Sequence, residues 1–277
     1  MTVPKMLKYP RTRHIEGSCQ QLGDEDLQTV PFSEIRNLPL AVEEKVDGAN
    51  CGISFDSGGN LLLQSRGHYL TGGLREKHFA LFKQWGTVQQ NLFWEVLRDR
   101  YIMYGEWLYA KHTIFYDKLP HFFMEFDVFD RKNGIFLDTP SRRDLLGSLP
   151  IVSVPLLKTG PFQKLEDLTS LIGPSRFISE NHIETLHRFC RENSISPDET
   201  DRHTDPSLLM EGIYIKHEEN GQVAARYKFV RGHFRQTSLE SDSNWLARPI
   251  VPNCLTIPLD GLFLNRLPAS SKNRRND

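Results

Sequence analysis

Cysteine is scarce in this chain of 277 residues: Cys19, Cys51, Cys190 and Cys254 lie far apart, with no paired spacing. That excludes zinc or redox motifs built on cysteine pairs and reads as reduced thiols in a cytoplasmic protein. Long apolar runs are missing too, and none approaches the length that crosses a bilayer. The opening stretch, Met1 to Arg13, carries basic residues but no apolar block, so it does not read as a secretory signal. Internal repeats and low-complexity stretches are absent. The formal net charge is −1, so there is no broad positive field for a polyanion. Any such partner must be held by local charge.

What remains is the composition of an ordinary soluble globular protein, 39% hydrophobic and 25% charged. The length allows one large domain or two small ones. Short apolar or alternating segments bounded by Gly, Asn, Asp or Pro predict strands over 40–45, 51–55, 61–65, 102–106, 121–130, 211–216 and 222–230. Helical spacing recurs over 74–85, 91–98, 141–149, 163–172 and 180–192. The stretch 194–206 is polar and reads as a loop, and Glu218-Glu219-Asn220-Gly221 reads as a hairpin turn. Strands with inserted helices, and no regular β-α-β alternation, predict an α+β fold with antiparallel sheets. Too few patterned residues follow Phe234 to build a second domain. We therefore expect one domain over 1–235 and an extension over 236–277 that ends in a disordered polar tail.

Chemistry concentrates in a few segments. Lys45 precedes Asp47-Gly48, which between apolar runs reads first as a hairpin turn, and a lysine forced neutral beside it becomes a nucleophile. Arg226, Lys228, Arg231, His233 and Arg235 fall close together with no acidic residue among them. Strand alternation puts Arg226 and Lys228 on one face, an expensive place for charge unless it meets an anion. The same alternation puts Glu211 in line with Ile213 and Ile215, as at the rim of a pocket, and Glu106 ends Tyr104-Gly105-Glu106-Trp107 similarly. Paired carboxylates hold hard divalent cations. Phe126 is in phase with the core residues Phe122, Met124 and Val128, and its ring suits a nucleobase if the strand lines a cleft.

In chain order, EKVDGAN around Lys45, SRG around Arg66, YGEW around Glu106, FMEFDVFD around Phe126, EGIYIK from Glu211 and RYKF around Lys228 resemble the covalent nucleotidyltransferases. Within them the chain is most similar to RNA ligases that lack a DNA-ligase-type oligonucleotide-binding domain. The resemblance implies an ATP-grasp-like adenylyltransferase fold, antiparallel sheets flanked by helices, with ATP and Mg²⁺ or Mn²⁺ as cofactors. It implies that Lys45 attacks the α-phosphate and carries AMP, and that Glu44, Asn50, Arg66, Glu106, Phe126, Arg226 and Lys228 bind the nucleotide. Lys228 meets the α-phosphate, Phe126 stacks on adenine, and Asn50 stabilises the transferring phosphoryl group. Glu106 and Glu211 hold the metal, while Arg231 and Arg235 guide RNA. Arg226 departs from the lysine common at its position; arginine keeps the charge but not a tunable proton.

The implied activity joins 5′-phosphate and 3′-hydroxyl RNA ends, with end-processing repair enzymes as possible partners. A lysine is ordinarily protonated at neutral pH, and burial beside Lys228, Arg226 and a metal is expected to favour the neutral amine. Alternatives are a DNA ligase-like adenylyltransferase, guanylyl transfer for capping, and a non-catalytic nucleotide- or RNA-binding module on the same scaffold.

Overall fold

The structure, a computed structural model, describes residues 4–20, 24, 26–232, 234 and 249–264. The expected tail over 270–277, and Arg235 with it, lie outside the described residues. The strands run in chain order as β1 (Arg13–His14), β2 (Leu40–Lys45), β3 (Ala49–Phe55), β4 (Leu61–Ser65), β5 (Tyr101–Trp107), β6 (Phe123–Asp130), β7 (Ile135–Phe136), β8 (Val152–Ser153), β9 (Leu156–Gly160), β10 (Gly212–Glu219) and β11 (Gln222–Val230). The α-helices are α1 (Ala80–Val88), α2 (Gln90–Leu97), α3 (Thr139–Leu146), α4 (Leu165–Thr169), α5 (His182–Glu192) and α6 (Pro197–Asp201). Among the described residues no helix is long and apolar enough to cross a membrane.

Two sheets form the body, as the α+β reading requires. The first has the order β1-β11-β10-β2-β9, and the second β4-β3-β5-β6-β7 with β8 beside β6. All pairings are antiparallel except β1 with β11 and β8 with β6. Alternation in the first sheet separates an apolar face from a charged one. Leu40 and Val42 of β2, Ile213 and Ile215 of β10 and Tyr227 of β11 join Ile15, Val30 and Phe32 in one core cluster. Glu43 and Lys45, Lys216, and Arg226 and Lys228 occupy the opposite face, toward the second sheet.

That charged face is matched across the gap. Arg142 of α3 is fully buried and pairs with Glu43 and, at 3.2 Å, with Glu125 of β6. Lys216 reaches Glu43 at 2.8 Å and Asp127 at 3.1 Å, and Arg226 meets Asp127 at 3.2 Å. Ionic groups taken from water cost several kcal/mol each unless paired, so these contacts fix how the sheets face one another.

The Asp47-Gly48 expectation is overturned. β2 and β3 lie in different sheets, so the residues between them cross over instead of closing a hairpin. The Asp47 carboxylate is buried and accepts the amides of Thr113 at 2.7 Å and Ile114 at 2.8 Å. Its own amide donates to the Tyr116 hydroxyl at 2.9 Å. Glycine is needed at 48 because a Cβ there would sit 2.7 Å from Leu108 Cδ2 and 2.8 Å from the Trp107 carbonyl. The hairpin expected between β10 and β11 is present, with Asn220 at φ 53° and Gly221 at φ 78°.

Two helical expectations shift as well. The segment 74–85 starts as a 3-10 turn, Leu74–Phe79, before becoming α1. The polar stretch 194–206 contains α6, whose start was readable: Ser196 caps the Glu199 amide and Pro197 occupies the first turn.

Candidate functional site

Lys45 ends β2 at the open edge between the sheets. In register it faces Gly212, the first residue of β10. A Cβ on Gly212 would lie 2.0 Å from the Phe229 carbonyl, so only glycine lets β10 begin this close to β11. Glu211 stands one residue before the strand and escapes its alternation. Its carboxylate does not join Ile213 and Ile215 as the sequence suggested. It reaches Lys45, with Nζ 2.5 Å from Oε2.

The expected neutral amine is not what the protein groups favour. Burial alone would depress the Lys45 pKa, but Glu211, then Tyr214 and Glu106, outweigh it and hold the ammonium protonated. Arg226 is tied to Asp127 between the sheets and stacks on Phe136, 4.0 Å from the ring centroid. Lys228 is buried opposite Tyr214 and pairs with Asp24. Burial lowers the Lys228 pKa, Asp24 opposes this, and the charge of Lys45 adds to the lowering.

Glu106 of β5 lies opposite Asn50 of β3. Burial, with Glu211 and Asp47 nearby, pushes its pKa up to about 8 despite Lys45 and Arg66. Arg66 itself is exposed after β4. The Asn50 Oδ1 atom is buried without a hydrogen-bond partner among the described residues. No group of three His, Cys, Asp or Glu side chains among the described residues is arranged to hold a metal alone. A hard divalent cation held by one or two carboxylates and completed by phosphate oxygens needs no such group, so Glu106 and Glu211 fit that role.

Phe126 is released from its strand's alternation by a β-bulge. Tyr104 pairs with Asp127 and Gly105 with Glu125, which leaves Phe126 as the extra residue. Its ring lies parallel to Tyr214 of the other sheet, 10° apart with centroids separated by 6.4 Å. Tyr9 meets it edge-on at 5.1 Å. Phe126, Tyr214, Tyr9, Val46, Glu106 and Lys216 line one narrow cleft. Two parallel rings of opposite sheets suit a planar heterocycle.

Other sequence-expected residues are placed elsewhere. Glu44 adjoins the cleft, but its carboxyl accepts from Ser175 Oγ at 2.6 Å. Arg231 is turned inward, pairing with Asp205, donating to Ser207 Oγ at 3.1 Å and to the Met210 carbonyl at 3.0 Å. Its guanidinium makes these internal ties, where the sequence alone shows only a run of cations. Asp24, Tyr9 and Tyr214 were missed. Tyr214 had a signal, since it shares alternation with Gly212 and Lys216 inside EGIYIK. Asp24 had none, because its partner lies 204 residues away.

The Glu44 environment carries a prediction. Burial raises its pKa from 4.5 to about 7, with Ser175 and Arg176 opposing. The folded protein thus keeps this proton where the unfolded chain has lost it. Stability falls as pH rises from about 4.5 to about 7 and stays reduced above, by on the order of 3 kcal/mol. Glu44→Gln is expected to raise the melting temperature at about pH 8 and leave it nearly unchanged at about pH 4.5. An equal effect at both pH values would contradict a buried, proton-binding carboxyl.

The sequence pattern of the RNA ligase family matches residues 38–230. A structure of a Naegleria gruberi RNA ligase mutant with ATP and Mn superposes with a TM-score of 0.51 at 15% identity, covering 83% of this chain and 57% of that one. Another mutant of that ligase with ATP and Mn gives a TM-score of 0.46 at 15% identity, covering 78% of this chain and 53% of that one. The chain thus spans little more than half the length of these ligase chains, and at such identity the first likeness is one of fold. Comparison with curated protein sequences gives no match. The family pattern runs from just before β2 to the end of β11, well over half of the chain and every strand of the cleft named above: this chain belongs to the RNA ligase family.

Proposed function

We propose that the protein is an ATP-dependent RNA ligase that joins 5′-phosphate and 3′-hydroxyl ends through AMP carried on Lys45. The observation that carries this reading is the setting of Lys45: it stands 2.5 Å from Glu211, near Glu106, beside the slot between Phe126 and Tyr214. Lys45, 5.9 Å from the centroid of the Tyr214 ring, and Lys228, which faces Tyr214 in register, would be the cations available to the phosphates of a nucleotide whose base occupied that slot. A divalent cation on Glu106 and Glu211 would neutralise phosphate charge and compete with Lys45 for the Glu211 carboxylate.

Lys45 must first give up a proton to water at the cleft mouth, because the protein groups hold it as an ammonium. Its nitrogen lone pair then forms the bond to the α-phosphorus while the bond to the pyrophosphate oxygen breaks. Lys228, set in the sheet opposite Tyr214, supplies positive charge to the phosphoryl oxygens, and the Asn50 side chain adds a donor through its amide nitrogen. Asp24 holds the Lys228 ammonium until phosphate replaces it. AMP then passes to an RNA 5′-phosphate, and a 3′-hydroxyl displaces it. Location in the cytoplasm, alongside enzymes that trim or phosphorylate RNA ends, belongs to the same reading.

The nucleic acid is tested with matched nicks that differ only in ribose or deoxyribose on the 3′-hydroxyl side. Faster sealing of the RNA nick is expected, since the 2′-hydroxyl is what separates the two. Equal rates would favour the DNA ligase-like reading.

A further inference from the structure

The segment after the family pattern has no role in the reading above, yet it is hydrogen-bonded to the loop that grips Asp47. Residues 249–254 run along 108–116. The Lys111 amide donates to the Val251 carbonyl at 2.8 Å, the Asn253 amide to the Tyr109 carbonyl at 2.8 Å, and the Cys254 amide to the Tyr116 carbonyl at 2.8 Å. The Asn253 side chain is 3% exposed and satisfied at both ends. Its Oδ1 accepts the Tyr116 amide at 2.8 Å, and its Nδ2 donates to the Leu108 carbonyl at 2.8 Å. Leu108 follows the β5 strand that carries Glu106. The Tyr116 hydroxyl accepts the amide of Asp47, two residues after Lys45.

These contacts close a ring. Asn253 joins the Glu106 strand end to Tyr116, Tyr116 joins Asp47, and Asp47 returns to the same loop through Thr113 and Ile114. Every side-chain link is buried, and hydrogen bonds of buried groups are costly to leave unmade. The spacing of Lys45 from Glu106, which lie in different sheets, is thus set across a bridge that includes a residue from outside the matched family region. We infer that Asn253 is a positioning residue, and that the C-terminal strap fixes the Lys45 loop against the Glu106 strand through Tyr116 and Asp47. The inference rests on Lys45 as the nucleophile for its kinetic consequence, but not for its structural one.

The experiment uses the full chain and three variants: Asn253→Ala, Tyr116→Phe and their combination. Leu262→Ala serves as the control, since Leu262 is a buried residue of the same C-terminal segment that packs into the main apolar core. Hydrogen exchange of the Asp47, Thr113 and Ile114 amides is read first, because it needs no activity. Asn253→Ala should speed exchange there about tenfold or more, and Leu262→Ala should not. The rate of label transfer from α-labelled ATP is read second. Each single variant should lower the maximal rate about tenfold with the ATP KM little changed, and the double variant should fall no further than the worse single one. Unchanged exchange, unchanged maximal rate in Asn253→Ala, multiplying losses, or the same loss in Leu262→Ala would overturn the inference. If the wild type takes no label while exchange behaves as expected, the ligase reading fails and the bridge stands.

Discussion

Lys45→Arg abolishes transfer of label from α-labelled ATP to the protein while leaving the melting temperature close to that of the wild type. Arginine keeps a cation beside Glu211, whose side chain is 1% exposed and would otherwise be left charged without its partner. A guanidinium is never neutral in a protein, so it offers no lone pair to the α-phosphorus. Lys45→Ala also abolishes labelling but confounds the result, because removing one member of a buried pair costs about 3–5 kcal/mol. The contrast between the two separates loss of the nucleophile from loss of the fold. Label on the arginine variant would mean that another residue carries the nucleotide.

Glu211→Gln lowers the labelling rate by about a hundredfold or more, the usual scale for removing one group that stabilises charge in the transition state. The carboxylate is given two tasks here: it holds the Lys45 ammonium, and it is one of two carboxylates suited to a divalent cation. Those tasks predict opposite effects. If Glu211 only kept Lys45 protonated, the amide would free the amine and the rate would rise. If it holds the metal, the rate falls and a higher Mn²⁺ concentration restores part of it. We expect the fall and the partial rescue. A rate equal to or above that of the wild type would leave Glu106 as the sole carboxylate on the metal.

Much of the fold was legible because its strands are short, apolar and well punctuated. β2 and β4 have the bounds that the pattern predicts, and Asn220-Gly221 makes its hairpin because both residues tolerate positive φ. Asp47-Gly48 carries the same local signal and forms no hairpin. The deciding interactions are with Thr113, Ile114 and Tyr116, more than sixty residues away. Local chemistry cannot report them. Strand alternation failed twice at the site for one reason: it holds only inside a regular strand. Glu211 lies just before β10, and Phe126 lies on a bulge, so both side chains point where parity does not put them.

Charge was the least legible property. The cluster from Arg226 to Arg231 reads along the sequence as an open basic strand. In the structure Arg226, Lys228 and Arg231 each meet a carboxylate, from Asp127, Asp24 and Asp205. The acidic partners lie on separate elements, and the sequence does not say which cations they satisfy. The same holds for Lys45: its nearest charge is the carboxylate of Glu211, which the sequence does not place beside it.

The central claim is that Lys45 forms a covalent bond to the α-phosphorus of ATP. Its most direct test is to incubate the wild-type protein with ATP and Mn²⁺, digest it, and map the modified peptide by mass spectrometry. The account predicts one AMP on the peptide containing Lys45, linked by a phosphorus–nitrogen bond that survives base and is cleaved by acid. Unmodified Lys45 under those conditions, or AMP on any other residue, would contradict it.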